Sequence, residues 1–170
     1  MDKVGIILMM YMIILRILEL FISKLNTKRL LKDGAKEFYP FHYKFIVIFH
    51  SIFLVFFLFK SFGDNSVNFK FLIFFCFLQF LRFKIIYDLG KFWTTRIIVI
   101  DKPLINTWIF RTFRHPNYIL VFLEVVTICL IFNDLVSLFL FSLINIVLIF
   151  VRIYYEEKAN NFRRKINNKV

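Results

Sequence analysis

The sequence predicts an all-α integral membrane protein with about five transmembrane helices, of which the last two form a hairpin. Of its 170 residues, 60% are hydrophobic and 26 are Phe, which is more apolar surface than one soluble core of this size can bury. A helix needs roughly 20 apolar residues to cross a bilayer. Five segments approach this length: residues 4–22, 45–59, 69–87, 117–132 and 135–153.

The first three segments carry few charges. Arg16 and Glu19 are three residues apart in the first segment, so both lie on one helix face. Basic residues of the third segment lie near its ends, where long side chains can reach the membrane surface; they are Lys70, Arg82 and Lys84.

The fourth segment is short, so it either crosses the membrane or forms a re-entrant arm with the fifth. Pro116 suits the first turn of a helix, where its missing N–H costs nothing, and predicts that the fourth helix begins there. Asn133 and Asp134 predict a tight turn before the fifth segment.

Basic residues predict the orientation. Six stretches lie before, between and after the five segments, and basic residues at the ends of the segments are counted with them. In chain order, these stretches contain one, six, two, seven, zero and six Lys or Arg. Since cytoplasmic loops are enriched in these residues, the alternation predicts an N-terminus outside and a C-terminus in the cytoplasm. Residues 1–170 are expected to form a single membrane-embedded domain.

Composition also excludes several classes of function. The net charge of +12 comes in bursts between apolar runs rather than on a solvated module, which disfavours nucleic-acid binding. Cys76 and Cys129 have no paired spacing, and the three His have no zinc or haem spacing, so no disulfide and no metal site is predicted.

A cluster of polar residues precedes the fourth apolar segment, with the sequence Arg114-His115-Pro116-Asn117-Tyr118. A helix N-terminus at this point can hold an anionic group. An ordinary helix start with Arg and Tyr anchoring at the membrane interface is an equally good interpretation.

A polar stripe runs along the second half of the last apolar segment and continues beyond its end. Asn145, Ile149, Arg152 and Glu156 fall on one helix face, running from the middle of the membrane to the surface at which His115 is expected. Because the end of this stripe and His115 are expected at the same depth and on the same side of the membrane, a functional site is favoured.

Other polar residues within the apolar segments are interpreted mainly as partners in interhelical hydrogen bonds or ion pairs. Glu124 is expected to pair with a basic side chain of a neighbouring helix. The remaining members of this group are Arg16, Glu19, His42, His50, Gln79 and Arg82.

Together, RHPNY at 114–118 and Arg152-x-x-x-Glu156-Glu157 resemble the isoprenylcysteine carboxyl methyltransferase family of membrane enzymes. Residues 16–43 and 90–100 are similar to its bacterial branch, which includes O-methyltransferases acting on alkylpyrones. The resemblance implies a bacterial plasma membrane and S-adenosylmethionine as the cofactor.

Site residues follow from the resemblance by position. It implies that His115, Tyr118, Glu156 and Glu157 contribute to the cofactor pocket, and that Arg152 is the catalytic arginine near the acceptor. Pro116 and Asn117 would shape the turn beside the cofactor. We also expect Glu156 to take part in catalysis.

Two departures from the family pattern bear on the substrate. INTWIF at 105–110 stands where the family usually has a glycine before RHP, and the tail after Glu157 lacks the FGxxYxxY pattern of the prenyl-cysteine enzymes. The expected acceptor is therefore a free lipophilic small molecule dissolved in the bilayer, rather than a prenylated protein.

Three alternatives remain at this point. Phospholipid N-methyltransferases and membrane sterol reductases have similar RHP or late-Glu signatures. A non-enzymatic small membrane protein, whose polar residues only pair helices, is the third.

Overall fold

A computed structural model describes residues 3–63, 67–100 and 107–167, with side chains as far as residue 161. Lys102, Ile105, Asn106 and the side chains of the tail from residue 162 lie outside the described part. The elements are α1 (Lys3–Lys32), β1 (Lys36–Phe38), α2 (Pro40–Ser61), α3 (Phe69–Leu89), β2 (Ile97–Val99), α4 (Trp108–Thr112), α5 (Pro116–Ile131) and α6 (Leu135–Asn167).

Each predicted apolar segment lies in one of the long helices, so the prediction of a helical membrane protein is confirmed. Three helices of the described chain are long and apolar enough to cross a membrane: Lys3–Lys32, Pro40–Ser61 and Leu135–Asn161. α3 has a comparable length but carries several charges, and α5 has 16 residues. At 1.5 Å per residue α5 is about 24 Å long, less than the roughly 30 Å of a bilayer core.

Except for α5, which ends one residue before its predicted segment, the helices extend beyond the predicted apolar segments. A short antiparallel ladder, which the all-α prediction did not include, joins two loops. Its register pairs Lys36 with Val99 and Phe38 with Ile97. The β-branched run at Ile97, Ile98 and Val99 favours extended backbone, which explains why this loop forms a strand.

The core consists of apolar side chains from α1, α2, α3 and α5. Phe57, Met9 and Ile128 are fully buried in it, and Phe141 of α6 packs edge-on against Phe53 with ring centroids 5.0 Å apart. The outward faces are also apolar, with large exposed side chains such as those of Ile7, Phe59, Ile73, Phe80, Phe139 and Phe150. Apolar surface on both sides of the helices is expected for a protein that lies in lipid.

Polar side chains of α1 hold the loop after α3 in place. Asn26 Nδ2 donates to the carbonyl oxygens of Gly90 at 3.1 Å and of Trp93 at 2.9 Å. The hydroxyls of Thr27 and Thr94 are 2.9 Å apart. These bonds fix Trp93 and Thr94 beside the end of α6.

Candidate active site

The RHPNY segment forms the start of α5, as predicted from Pro116. His115 is the N-cap residue, with φ of −134° and ψ of 63°, which are outside the helical region, and Pro116 occupies the first turn. The backbone N–H of Tyr118 donates to the carbonyl oxygen of His115 at 3.1 Å. This geometry places His115 and Tyr118 on the same side, with their rings stacked at a centroid distance of 5.4 Å.

A cavity of about 200 Å³ lies between the start of α5, the end of α6 and the loop from Phe92 to Val99. We call it the loop cavity. Six of the predicted residues line it: His115, Pro116, Asn117, Tyr118, Arg152 and Glu156. The remaining lining residues include Trp93, Thr94 and Asn160, whose roles the sequence did not indicate.

A second cavity, of about 190 Å³, lies among α1, α2, α5 and α6, and we call it the helix cavity. Most of its wall area is apolar, from residues such as Ile46, Val47 and Leu54, and Arg16, Glu19, His50 and Arg82 also line it. Residues that line both cavities are Trp93, Thr94, Asn117, Tyr118 and Arg152. The two cavities therefore meet at Arg152 and Tyr118.

Arg152 is held at this junction by hydrogen bonds although only 7% of its surface is exposed. Its Nε donates to the Tyr118 hydroxyl at 3.2 Å, and its Nη1 donates to Nε2 of His42 at 3.1 Å. Because Nε2 of His42 accepts, its Nδ1 carries the proton that is donated to the carbonyl oxygen of Tyr39. The His42 ring also stacks on Tyr155, with centroids 5.2 Å apart.

Glu156 and Glu157 have different surroundings, because adjacent helix residues point about 100° apart. Glu156 lines the loop cavity and accepts the hydroxyl proton of Tyr118. Glu157 lies at its edge, where one carboxylate oxygen is 2.9 Å from Nη2 of Arg114 and 3.8 Å from Nε2 of His115. Of the predicted site residues, Glu157 is the one that the structure puts beside the cavity rather than in its lining.

The imidazole of His115 has an unsatisfied nitrogen. Nε2 is buried and, among the residues that the structure describes, has no hydrogen-bond partner. Buried polar nitrogens are normally paired, so an orphan at a cavity wall is a position at which a ligand can bind.

Glu124 lies outside both cavities and belongs to a buried charge network. It accepts from Nη2 of Arg16 at 2.6 Å, from Nη1 of Arg82 at 2.7 Å and from Nε2 of Gln79 at 2.9 Å. Glu19 accepts from Nη1 of Arg16 and Nη2 of Arg82, both at 2.9 Å. The prediction that Glu124 pairs with basic side chains of neighbouring helices is confirmed.

Sequence reasoning recognised His42 only as an interhelical partner. It does bond to another helix, but its partner is Arg152, so it supports the site. Trp93 and Thr94 lie within residues 90–100, which the sequence singled out only through the resemblance and to which it assigned no role. The structure places both residues in the lining of the two cavities, and contacts with α1 hold them there.

These features define a helical integral membrane protein with a polar cavity and a largely apolar cavity that meet at a buried arginine. A family model of the isoprenylcysteine carboxyl methyltransferase (ICMT) family matches residues 71–161, a range that contains RHPNY, Arg152 and both glutamates. The chain belongs to this family.

A similar protein is the uncharacterized protein YpbQ of Bacillus subtilis (strain 168). It is 30% identical over 158 residues, which are 90% of this chain and 94% of the relative. No solved structure matches the chain.

Proposed function

We propose that the protein is an S-adenosylmethionine-dependent methyltransferase that transfers a methyl group to an oxygen of a hydrophobic, membrane-dissolved acceptor such as an alkylpyrone. The acceptor oxygen is a carboxylate, an enol or a hydroxyl. The observation that carries the proposal is the meeting of the loop cavity and the helix cavity at Arg152 and Tyr118. Membership in a methyltransferase family supports the reaction type.

The lining of the loop cavity suits S-adenosylmethionine, which supplies an electrophilic methyl group on a sulfonium. The cofactor also carries an ammonium, a carboxylate, ribose hydroxyls and an adenine ring. Glu156 offers a carboxylate to cationic or hydroxyl groups, and the orphaned Nε2 of His115 offers one further hydrogen bond. Trp93 supplies an aromatic wall, Asn117 shapes the turn at the start of α5, and Glu157 holds Arg114 at the edge.

Arg152 is the residue that we assign to the acceptor. Two of its donors are occupied by Tyr118 and His42, and no described residue forms a hydrogen bond with Nη2. The Nη2 donors can thus bind the acceptor oxygen and favour its anionic form, because an adjacent positive charge lowers the pKa of an acid. Glu156 contributes through Tyr118, which it keeps oriented toward Arg152.

Transfer of a methyl group from a sulfonium is an in-line displacement, in which the acceptor oxygen forms a bond to carbon as the carbon–sulfur bond breaks. The protein must align the two reactants and exclude water. Apolar walls of the helix cavity exclude water from the acceptor side, and the buried contacts around Arg152 fix the oxygen at the junction of the cavities.

The same proposal includes an arrangement in the membrane. We propose that five helices lie in a bacterial plasma membrane, with the N-terminus outside and the C-terminus in the cytoplasm. The alternation of basic residues along the sequence supports this orientation. The loop cavity would then open to the cytoplasm, where the cofactor is dissolved, while the acceptor would reach the helix cavity from the bilayer.

Calorimetric binding of S-adenosylmethionine to the detergent-purified protein tests the proposal. We expect saturable binding by the wild type, loss of binding in His115→Ala, and retained binding in Arg152→Ala. Methyl transfer to a long-chain alkylpyrone should be lost in Arg152→Ala, because that variant lacks the guanidinium assigned to the acceptor oxygen. Absence of cofactor binding by folded wild-type protein, with and without the alkylpyrone, would refute the proposal.

A further inference from the structure

Asn145 is an unsatisfied polar residue in the wall of the helix cavity. It lies in the first third of α6, only 2% of its surface is exposed, and it lines the cavity. Within the described part of the chain, its Nδ2 has no hydrogen-bond partner. The position is therefore a buried amide donor beside an empty space large enough for a ligand.

The location makes this donor costly for the protein. In the apolar interior of a membrane no bulk water replaces a missing partner, so an unpaired amide destabilises the fold. A Leu of similar size would fill the same wall without this penalty. A ligand that accepts a hydrogen bond from Nδ2 removes the penalty whenever it is bound.

The distance to the junction of the cavities limits what the ligand can be. Asn145 and Arg152 are seven residues apart on α6, which corresponds to two turns and about 10 Å along the axis. Both line the helix cavity, as do His50 and Ser51 on the opposite helix, α2. One amphipathic molecule with a polar ring system can reach both residues.

We propose that Asn145 determines specificity by donating a hydrogen bond to a second oxygen of the acceptor, distinct from the oxygen that receives the methyl group. The acceptor class is thus a lipid whose head group carries at least two oxygens, one near Arg152 and one, such as a carbonyl or ring oxygen, near Asn145. This inference rests on the proposed function of the same site.

The test compares two acceptors with equal alkyl chains: a hydroxypyrone, which has additional ring oxygens, and an alkylphenol, which has one oxygen. Asn145→Leu removes the donor. Ser142→Ala is the matched control, because Ser142 is another residue of α6 with an unsatisfied buried oxygen among the described residues, but it does not line the helix cavity.

For the wild type we expect a preference for the hydroxypyrone in kcat/KM. In Asn145→Leu, KM for the hydroxypyrone should rise at least tenfold, whereas KM for the alkylphenol should stay unchanged. The reason is that only the hydroxypyrone loses a hydrogen bond. Ser142→Ala should behave as the wild type, and both variants should melt at or above the wild-type temperature. Equal effects on both acceptors, or none, would overturn the inference.

A binding measurement separates this inference from the proposed function. If the wild type methylates neither compound, the stabilisation of the protein by each compound is measured from its melting temperature. A larger stabilisation of wild type than of Asn145→Leu by the hydroxypyrone would keep the role of Asn145 and refute methyl transfer to this compound. No stabilisation, or the same in both, would refute the role of Asn145.

Discussion

Arg152 occupies the junction of two cavities because two side chains from other helices, those of His42 and Tyr118, hold its guanidinium. His42 of α2 accepts from one end of the guanidinium, the Tyr118 hydroxyl of α5 accepts from Nε, and Tyr118 in turn donates to Glu156 one turn further along α6. A buried cation without such partners would be strongly destabilising. These hydrogen bonds therefore stabilise the buried positive charge and fix the orientation of the Arg152 guanidinium.

Removal of the hydroxyl in Tyr118→Phe should slow methyl transfer by roughly ten- to a hundredfold, the factor expected for one hydrogen bond to a charged group. The physical reason is that the Arg152 guanidinium loses its Nε acceptor and can rotate away from the acceptor oxygen. Steady-state kinetics with the alkylpyrone would measure the change.

Tyr154→Phe is the matched control, because Tyr154 is on the same helix with 61% of its surface exposed. Equal activities of the two phenylalanine variants would contradict the assigned role of Tyr118.

The turn between α5 and α6 shows how a short connection sets the relative position of two helices. Asn133 adopts a left-handed conformation with φ of 50°, and Asp134 caps α6 by accepting from the backbone N–H of Ser137 at 2.9 Å and its hydroxyl at 2.6 Å. Lys60 of α2 also pairs with Asp134. The Asp134 carboxylate thereby ties α2 to the start of α6 at this end of the molecule.

Stability should depend on the charge of Asp134. Burial raises the pKa of this carboxyl, but hydrogen bonds from Lys60 and Ser137 outweigh burial and lower the pKa from 3.8 to about 2. The unfolded chain therefore binds the proton more readily, so the stabilisation is complete above about pH 4 and is lost as the pH falls toward 2. Its size is at most about 2 kcal/mol.

Asp134→Asn measures this contribution. We expect the variant to be less stable than wild type at pH 6 and equally stable near pH 2, in denaturant unfolding of the detergent-purified protein. A stability difference that is independent of pH would show that the charge of Asp134 is not responsible.

Across the whole molecule, a buried network of two arginines and two glutamates joins α1, α3 and α5. Arg16 and Arg82 balance Glu19 and Glu124, and Gln79 fills a remaining acceptor position of Glu124. Buried ions stabilise a fold only when each has a partner, and loss of one partner is more damaging than loss of a neutral pair.

Glu124→Gln should lower the free energy of unfolding by about 3–5 kcal/mol, because it leaves one buried positive charge in excess. Adding Arg82→Gln restores neutrality, so the double variant should be more stable than the sum of the two single effects predicts. Unfolding in denaturant would measure all three variants. Strict additivity would mean that these two residues do not interact.

The sequence by itself determined which segments are helical, where α5 begins and which polar residues lie within apolar segments. These properties depend on local patterns: long apolar runs, a proline that fits a first helical turn, and polar residues that are costly in lipid. The turn at Asn133 and Asp134 and the pairing of Glu124 with basic side chains also followed from such patterns.

Only the tertiary structure decided which polar side chains meet. His42 lies 110 residues from Arg152 in sequence, and Trp93 and Thr94 reach the cavities through bonds with α1. The neighbouring residues Glu156 and Glu157 look equivalent in sequence, yet one lines the loop cavity and the other pairs with Arg114 at its edge. Such distinctions depend on helix rotation and on contacts between distant segments, and local patterns do not encode either.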